Sequence, residues 1–516
     1  MLACYRPEPY VDFSQPGPRE AMLAAIKSVG GQLGKRYPLW IGGSAADSPN
    51  VIRSIAPANP DCVVGEIAKA TATQAEQAIV GAAERFRDWS RVPAEERAMV
   101  LAKAAEIMRR RVYELSAWMV YEVSKPWIEA YADVCEAIDF CDFYAREVIR
   151  LSGRHPTTPY PGEDNSVEYI PMGVVGVIPP WNFPLAICMG MTTAALVAGN
   201  TVVLKPSSDS AVIAAKMCEV LCEAGLPAGV LNFVPGGGGD VGETIVNHRL
   251  TRMIAFTGSR EVGLRINERA AKLADGQIWI KRVILEMGGK DGILVDETAD
   301  LDAAAEGVVA AAFGFQGQKC SACSRLVAVA AIYDKLLERV VERARRITVG
   351  DPASDENVNM GAVINEGAFK SISEYIKIGR GEGRAVLADG KVPGKGYFIS
   401  PTIIADAAPN ARIAQEEVFG PVLAVIKARD FEDGLAIING TQYGLTGALF
   451  SRDRMRLHRA RSEFHVGNLY LNRKCTGALV DVQPFGGFNM SGTNSKAGGR
   501  DYVALFLQGK SIAERL

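Results

Sequence analysis

The chain has 516 residues, a formal charge of −2 and a pI near 6.2. Its length predicts about two to four domains, and 48% hydrophobic with 22% charged residues is typical of a globular protein in water. The near-neutral charge argues against a nucleic-acid partner, because such proteins usually carry a basic surface.

Two features predict a cytoplasmic protein. Ten cysteines are spread thinly along the chain, unlike a disulfide framework, and the first residues lack the basic and apolar segments of a secretory signal. Residues 169–204 carry no charge and are long enough to span a membrane. Prolines interrupt the first half of this segment, so we expect a buried strand, helix and strand rather than a membrane span.

The first 150 residues have a mainly helical pattern. Pro93 followed by Glu95 and Glu96 is typical of a helix start, and amphipathic segments continue to about Leu151. The Pro- and Gly-rich stretch 152–166 is predicted to be a loop or linker.

Downstream, short β-branched strands alternate with helices, a pattern that predicts parallel βαβ units. The predicted strands are GVVGVI, TVVLKPS, VLNFV and MIAFT, and then VILEMGGKD, RLVAVAA and VLAVIKA. The sequence therefore predicts two α/β lobes.

Two glycine-rich turns follow strands of the first lobe. One fits G-x-G-x-x-G at residues 237–242, and the other spans 258–263 and opens a helix. Glycines there would let backbone N–H groups approach a pyrophosphate, although either turn could simply be a tight strand–helix connection. The chain contains no G-x-x-x-x-G-K-[ST] motif, which argues against a nucleoside triphosphatase.

The pair Cys320 and Cys323 has three interpretations. A structural zinc site needs four ligands, and the other cysteines and histidines offer no second pair, so no metal is expected. A thioredoxin-like couple normally lies in a small βαβ fold, not deep in a large lobe. The third interpretation is a single nucleophile at Cys320, with a glycine loop to expose the thiol and Lys319 beside it to help lower its pKa.

A thiol nucleophile also needs a base. Glu286 ends a β-branched strand just before two glycines. A strand-end carboxylate in apolar surroundings has a raised pKa and could activate water. A structural cap for the glycine turn is the alternative interpretation.

Seven motifs, in order, resemble the aldehyde dehydrogenase superfamily. The resemblance covers the chain from about Arg36 to its end and favours the second glycine turn over the first. The motifs are PWNFP (180–184), KPS (205–207), FTGSREVG (256–263), LEMGGKD (285–291), GQKC (317–320), EEVFGPV (416–422) and PFGGFNMSG (484–492). Residues 317–325 and 475–499 are further similar to 1-pyrroline-5-carboxylate dehydrogenases, which oxidise glutamate semialdehyde to glutamate.

The resemblance implies a catalytic role for three residues. The Cys320 thiolate would attack an aldehyde, Asn182 and the Cys320 N–H would hold the oxyanion, and Glu286 would activate water to hydrolyse the resulting thioester. Cys323 would then be a bystander.

The resemblance also implies a nicotinamide cofactor, NAD. Ser208 stands where many members carry a glutamate on the ribose, so tolerance of NADP is expected too. The implied cofactor residues are Lys205, Ser208, Gly258, Ser259, Gly263, Glu417, Phe419, Pro179 and Trp181.

For a small-molecule substrate, the resemblance implies an anchor for the α-carboxylate at Ser321, Gly477 and Ala478. Phe183 and Phe485 would flank the aliphatic stem, or else be ordinary core aromatics.

The implied fold is α/β, with a Rossmann-type cofactor lobe, an α/β catalytic lobe and a small β oligomerisation flap. The predicted limits are 1–157 and 172–286 for the NAD-binding domain, 287–481 for the catalytic domain, and 158–171 with 482–516 for the flap. We expect a homo-oligomer, a dimer or larger, and regard a proline dehydrogenase as a candidate partner. The alternatives are an aldehyde dehydrogenase for succinate semialdehyde or general aldehydes, and a non-catalytic scaffold with this fold.

Overall fold

The computed structural model describes residues 4–516; the first three residues of the predicted NAD-binding domain lie outside this range. An extended N-terminal arm, residues 4–15, precedes helix α1 (Pro16–Gly30). Short strands then occupy a region where the sequence predicted mainly helix, because strands of three to six residues are too short to show a clear alternation. They are β1 (Lys35–Tyr37), β2 (Leu39–Ile41), β3 (Ser44–Ala46), β4 (Val51–Ile55) and β5 (Val63–Ala68).

Four helices follow, and the predicted helix start is observed, with Glu95 and Glu96 in the first turn after Pro93. The helices are α2 (Ala72–Trp89), α3 (Ala94–Arg110), α4 (Val112–Val123) and α5 (Trp127–Leu151). The stretch 152–166 is not simply a loop. It contains β6 (Arg154–Pro156) and the start of β7 (Glu163–Pro171), and proline is acceptable in β6 because that strand is at a sheet edge.

The first lobe is built on a seven-stranded sheet in the order β12-β11-β8-β9-β10-β2-β3, parallel from β12 to β10. Residues 169–204 form strand, helix and strand, as expected, and within residues 4–516 no helix is long and apolar enough to cross a membrane. The further elements of the first lobe are β8 (Val174–Ile178), α6 (Ala186–Val197), β9 (Thr201–Leu204), α7 (Ala211–Glu223), β10 (Leu231–Phe233), α8 (Glu243–Asn247), β11 (Thr251–Thr257), α9 (Arg260–Ala270) and β12 (Arg282–Glu286).

The second lobe has its own seven-stranded sheet in the order β15-β16-β17-β14-β13-β19-β20, parallel except for edge strand β15. The two predicted α/β lobes are therefore confirmed. The elements of this lobe are β13 (Gly292–Val295), α10 (Leu301–Phe313), β14 (Arg325–Val329), α11 (Tyr333–Ala344), α12 (Glu366–Glu382), β15 (Arg384–Leu387), β16 (Thr402–Ala405), α13 (Arg412–Gln415), β17 (Val422–Ala428), α14 (Phe431–Asn439), β18 (Tyr443–Gly444), β19 (Thr446–Phe450), α15 (Arg454–Glu463), β20 (Asn468–Leu471) and β21 (Phe488–Asn489).

The last strand, β22 (Leu507–Arg515), pairs antiparallel with β7 over nine residues, and β7 pairs with β6, which makes a three-stranded flap. Before reaching the flap, the chain returns to the first lobe, where Gly492 forms a bridge with Glu286 at the end of β12. The domain limits given above stay predictions.

Candidate active site

Two cavities meet at Cys320. The large cavity, of about 490 Å³, lies at the carboxyl ends of β8, β9, β11 and β12, the edge of a parallel sheet where ligands usually bind. The small cavity, of about 130 Å³, extends from the other side of Cys320 toward α5. Cys320 and Thr257 line both cavities. A group bound in either cavity can therefore reach the same thiol.

Most of the residues predicted to bind the cofactor line the large cavity. Lys205 is 8% exposed, and its ammonium donates to the carbonyl of Pro206 at 3.1 Å. Burial lowers the pKa of Lys205 to about 8, which is the signature of a cation that lacks an acidic partner. The predicted residues on this cavity are Pro179, Trp181, Asn182, Lys205, Gly258, Ser259, Cys320, Glu417 and Phe419.

Ser259 precedes helix α9, and its side chain makes no capping hydrogen bond. Among residues 4–516, the first N–H groups of the helix and this hydroxyl therefore face a cavity without an internal partner, which suits a phosphate group. The other glycine turn also contributes, because Gly238 and Gly242 line the same cavity. Both turns thus belong to one site, whereas the sequence favoured the second over the first.

Two of the predicted cofactor residues lie elsewhere. Ser207 lines the large cavity, and a short 3₁₀ turn that begins at Ser208 then carries the chain away from it. Ser208 lines a separate cavity of about 330 Å³. Gly263 faces the sheet, where an added β-carbon would collide with Met287. Its place is explained by close packing of helix on strand rather than by contact with a ligand.

Glu417 and Phe419 form one wall of the large cavity. The N–H of Gly289 donates to the Glu417 carboxylate at 2.9 Å, so Glu417, and not Glu286, holds the glycine turn after β12. The Phe419 ring meets that of Trp181 edge to face at 5.5 Å. The capping role considered for Glu286 is therefore taken by a residue distant in the sequence.

The small cavity collects the predicted substrate residues. It is lined by Glu286, Cys320, Ser321, Gly477, Ala478, Phe183 and Phe485. Sequence reasoning missed several polar side chains in the same lining, among them Tyr10, Glu129 and Glu136, and it expected Lys319 only as a neighbour of the thiol. Glu129 and Glu136 are seven residues apart and share one face of α5 with Ala132 and Phe140. Two acidic residues on a face of a helix that is otherwise apolar were the sequence signal that could have revealed these cavity residues.

The loop before Cys320 is held in a strained conformation. Phe315 and Gln316 both have left-handed backbones, with φ of 48° and 58°, which non-glycine residues rarely adopt outside functional sites. The Gln316 side-chain amide donates to the carbonyls of Ser124 and Ala362, at 3.1 and 2.9 Å. These bonds fix the loop, and Cys320 at its end remains partly exposed.

The Cys320 thiol is not activated as the sequence suggested. Burial and the carboxylates of Asp291, Glu417 and Glu286 raise its pKa well above the usual value. Lys319, the expected activating cation, instead forms an ion pair with Glu129 at 2.7 Å. The resting thiol is therefore protonated, and it needs a proton acceptor when it reacts.

Glu286 can supply that function. Burial raises its pKa to about 7, while hydrogen bonds from Ser495 and the Gly487 backbone act in the opposite direction. One carboxylate oxygen, Oε1, accepts the Ser495 hydroxyl at 2.6 Å, and the other, Oε2, is buried without a partner in residues 4–516. The backbone of Gly492 packs directly against Leu285 and Glu286 at the end of β12. Its φ is 151°, and an added β-carbon would collide with the carbonyl of Leu285.

Asn182 is held by a buried ion pair. Its side-chain amide donates to the backbone carbonyl of Gln318 at 3.0 Å, and the backbone carbonyl of Asn182 accepts a hydrogen bond from the Lys125 ammonium at 2.9 Å. Lys125 is paired with Asp133, both side chains fully buried, and Asp133 accepts the N–H of Ala186 at 2.7 Å. One N–H of the Asn182 amide remains for an oxyanion.

The turn at Gly477 and Ala478 presents unused donors. Arg473 donates to the carbonyls of Thr476 and Gly477, at 3.0 and 3.1 Å. Within residues 4–516, the N–H groups of Gly477 and Ala478 have no acceptor. Two free N–H groups beside the Ser321 hydroxyl can receive a carboxylate.

Cys323 takes no part in this arrangement. It is buried, its thiol donates to the carbonyl of Arg325 at 3.4 Å, and it lies against Cys475. All ten cysteines are free. Between residues 4 and 516, no group of three or more His, Cys, Asp or Glu side chains could hold a metal ion.

Comparison with known proteins places this site in a family. The model named "Aldehyde dehydrogenase family" matches residues 44–512. A 1-pyrroline-5-carboxylate dehydrogenase from Geobacillus thermodenitrificans (strain NG80-2) is 56% identical over 514 residues, covering all of both chains.

Solved structures agree. A 1-pyrroline-5-carboxylate dehydrogenase from Thermus with bound NAD superimposes with a TM-score of 0.97 at 51% identity over all of both chains. Proline utilization A from Bdellovibrio bacteriovorus matches 99% of this chain and 53% of its own, with a TM-score of 0.98 at 45% identity. The resemblance seen in the motifs is confirmed, and the chain belongs to the aldehyde dehydrogenase family.

Proposed function

We propose that this enzyme oxidises L-glutamate 5-semialdehyde, the open form of 1-pyrroline-5-carboxylate, to L-glutamate with NAD, as a step of proline degradation. The observation that carries the proposal is the small cavity. Its lining joins unused N–H donors and a hydroxyl with the carboxylates of Glu129, Glu136 and Glu286, all in one cavity with Cys320. Relatives at 53–57% identity over their whole length carry the name of this activity.

The cavity suits both ends of an amino acid. The α-carboxylate would accept hydrogen bonds from the Ser321 hydroxyl and the N–H groups of Gly477 and Ala478. The α-ammonium would face Glu136, because Glu129 is already paired with Lys319. Burial raises the pKa of Glu136 to about 8, and a bound ammonium would favour its ionised form.

The first chemical step would begin at Cys320. Its thiol passes a proton to the Glu286 carboxylate as the sulfur attacks the aldehyde carbon. The Asn182 amide and the Cys320 N–H would stabilise the oxyanion that forms. Phe183 and Phe485 would hold the aliphatic stem and exclude water from this step.

The second step needs the large cavity. When bound, NAD would supply a hydride acceptor for the carbon attached to sulfur, and loss of that hydride would leave a thioester on Cys320. Lys205, Ser259 and the α9 N-terminus would hold the cofactor, with Trp181, Glu417 and Phe419 at its reactive end. Glu286 would first release to solvent the proton that it took from Cys320. It would then remove a proton from water as the water oxygen attacks the thioester, and the departing sulfur would regain that proton as glutamate leaves.

The charges that line the cofactor cavity support the expected tolerance of NADP. Arg265 and Arg269 line it, and Glu243 in the same lining forms an ion pair with Arg265 at 3.3 Å. Ser207, which follows Pro206 and lines this cavity, carries no charge that would repel a 2′-phosphate. We propose NAD as the preferred cofactor and NADP as a weaker one.

The assembly and location follow the same proposal. The flap leaves the outer edges of β6 and β22 unpaired among the described residues, and such edges favour strand pairing with a second copy. We therefore propose a homo-oligomer in the cytoplasm, where ten free thiols persist. A proline dehydrogenase partner is proposed because proline utilization A from Bdellovibrio bacteriovorus contains a region like this chain.

The substrate proposal is tested by comparing kcat/KM for 1-pyrroline-5-carboxylate, succinate semialdehyde and propanal with NAD. We expect kcat/KM for 1-pyrroline-5-carboxylate to exceed the other two values by about a hundredfold, or about 2.7 kcal/mol of transition-state discrimination. Equal values for propanal would overturn the carboxylate anchor, and a fully active Cys320→Ala variant would overturn the mechanism.

A further inference from the structure

The N-terminal arm, residues 4–15, reaches the small cavity although it lies outside the family match, which begins at residue 44. Tyr10 on this arm lines the cavity together with Glu136 and Ala478. Its side chain is 51% exposed. It therefore stands at the outer mouth of the cavity rather than in its interior.

The arm is fixed on the N-terminal side of Tyr10 by polar contacts. The Tyr5 hydroxyl donates to the carbonyl of Val480 at 3.2 Å, and its ring meets Phe143 at 5.3 Å. The backbone N–H of Glu8 donates to Asp139 at 2.9 Å, and its carboxylate pairs with Arg109 at 2.9 Å. These contacts leave the arm little freedom before Tyr10.

Aromatic packing fixes the other side. The Phe13 ring meets Trp127 and Tyr131 edge to face, with centroids 5.5 and 5.9 Å apart. Both partners lie in the first turns of α5. Such pairs add to the stabilisation that comes from burying the rings. The chain is therefore held by separate contacts before and after Tyr10.

The elements that hold the arm are those that carry the substrate contacts. Val480 follows Ala478 by two residues, and Asp139 lies one helical turn after Glu136 on α5. The arm therefore spans the gap between the proposed carboxylate anchor and the proposed ammonium site. Its position relative to both is set by direct contacts.

We infer that Tyr10 is a specificity-determining residue, whose ring closes the outer end of the small cavity and limits the length of aldehyde that reaches Cys320. The family domain alone, from residue 44 onward, lacks this wall. The inference rests on the proposed function only for the identity of the natural substrate. The exclusion of long aldehydes follows from the wall itself.

Three variants test this role. Tyr10→Ala removes the ring without disturbing the contacts of Tyr5, Glu8 and Phe13, and Tyr10→Phe removes only the hydroxyl. Tyr160→Ala is the matched control, because Tyr160 is 65% exposed on the turn before β7. For each, kcat/KM is measured with NAD for propanal, hexanal and 1-pyrroline-5-carboxylate, and the thermal midpoint is recorded.

In Tyr10→Ala we expect the hexanal-to-propanal ratio of kcat/KM to rise about tenfold, a reasonable effect for a pocket that gains room for a few methylenes. Tyr10→Phe and Tyr160→Ala should keep the parent ratio, with unchanged thermal midpoints. A ratio in Tyr10→Ala within about twofold of the parent would overturn the inference. Failure of the substrate proposal would be seen separately, as a parent enzyme that does not prefer the pyrroline substrate.

Discussion

The Ser495 hydroxyl donates to Glu286 at 2.6 Å and so joins a C-terminal loop to the end of β12. This bond occupies one carboxylate oxygen of the proposed base and leaves the other buried without a partner within residues 4–516. Lys496 is the charged group that acts on Glu286, and the Glu286 carboxylate in turn raises the pKa of the Cys320 thiol and of Tyr502. The loop thus tunes a group that would work in both chemical steps.

The pH dependence of turnover follows from Glu286. Since burial raises its pKa to about 7, and only the ionised carboxylate can accept a proton, kcat should fall as the pH drops through 7 and level off above it. Glu286→Gln should abolish most of the activity. A parent profile that stays flat between pH 6 and 8, about one unit either side of the pKa, would contradict the assignment.

Loss of the Ser495 hydroxyl should shift that profile. The hydrogen bond from Ser495 lowers the pKa of Glu286, so Ser495→Ala should move the midpoint to higher pH, whereas Ser495→Thr should keep it. The pH profile of kcat separates this effect from a general loss of stability. A midpoint that moves to lower pH in Ser495→Ala is the result that this account forbids.

The Lys125–Asp133 ion pair should matter for stability and for the rate, in separable ways. Lys125→Met leaves the fully buried Asp133 carboxylate uncompensated, which should cost about 3–5 kcal/mol of unfolding free energy. Adding Asp133→Asn should restore most of the stability. The double variant should still have a reduced kcat, because the carbonyl of Asn182 lacks its donor. Full activity in a stable double variant would show that Lys125 does not position Asn182.

Gly492 should tolerate no side chain. Its φ of 151° and its approach to the carbonyl of Leu285 predict that Gly492→Ala destabilises the protein by about 1–3 kcal/mol and lowers kcat through the displaced Glu286. The control is Gly81→Ala in helix α2, where no atom lies within 4 Å of an added β-carbon. That change should be neutral or stabilising by about 0.5–1 kcal/mol. Chemical denaturation and steady-state kinetics test this prediction. A Gly492→Ala protein that is at least as stable and as active as Gly81→Ala would contradict it.

Lys205 should contribute to cofactor affinity and little else. Lys205→Met removes a buried ammonium from the large cavity, so the Kd for NAD should rise at least about tenfold. Lys370→Met, at an exposed ion pair on α12, serves as the matched control. Unchanged NAD binding by calorimetry in Lys205→Met would remove this residue from the site.

The sequence was most informative where chemistry is local. Cys320, Glu286 and Asn182 each lie in a short motif, and the alternating strands of both lobes have strong periodicity. The state of the thiol could not be predicted in this way. The pKa of Cys320 depends on Asp291 and Glu417, whose approach only the fold reveals, and its neighbour Lys319 turns toward Glu129.

Other errors have equally physical causes. Strands β1–β5 are too short for periodicity to identify. Ser207 and Ser208 are adjacent in the sequence, yet a single 3₁₀ turn sends them to different cavities. The arm around Tyr10 carries no motif, and its role depends on contacts with residues more than a hundred positions away.

In the proposed mechanism, Cys320 carries the substrate as a thioester, and Glu286 then activates the water that hydrolyses it. The most direct measurement is the intact mass of the parent enzyme, quenched with acid during its first turnover of 1-pyrroline-5-carboxylate with NAD, followed by peptide mapping. We predict that one glutamyl group accumulates on Cys320 and that none forms in Cys320→Ala. Turnover without an adduct, or an adduct on Cys323 or another residue, would contradict this account.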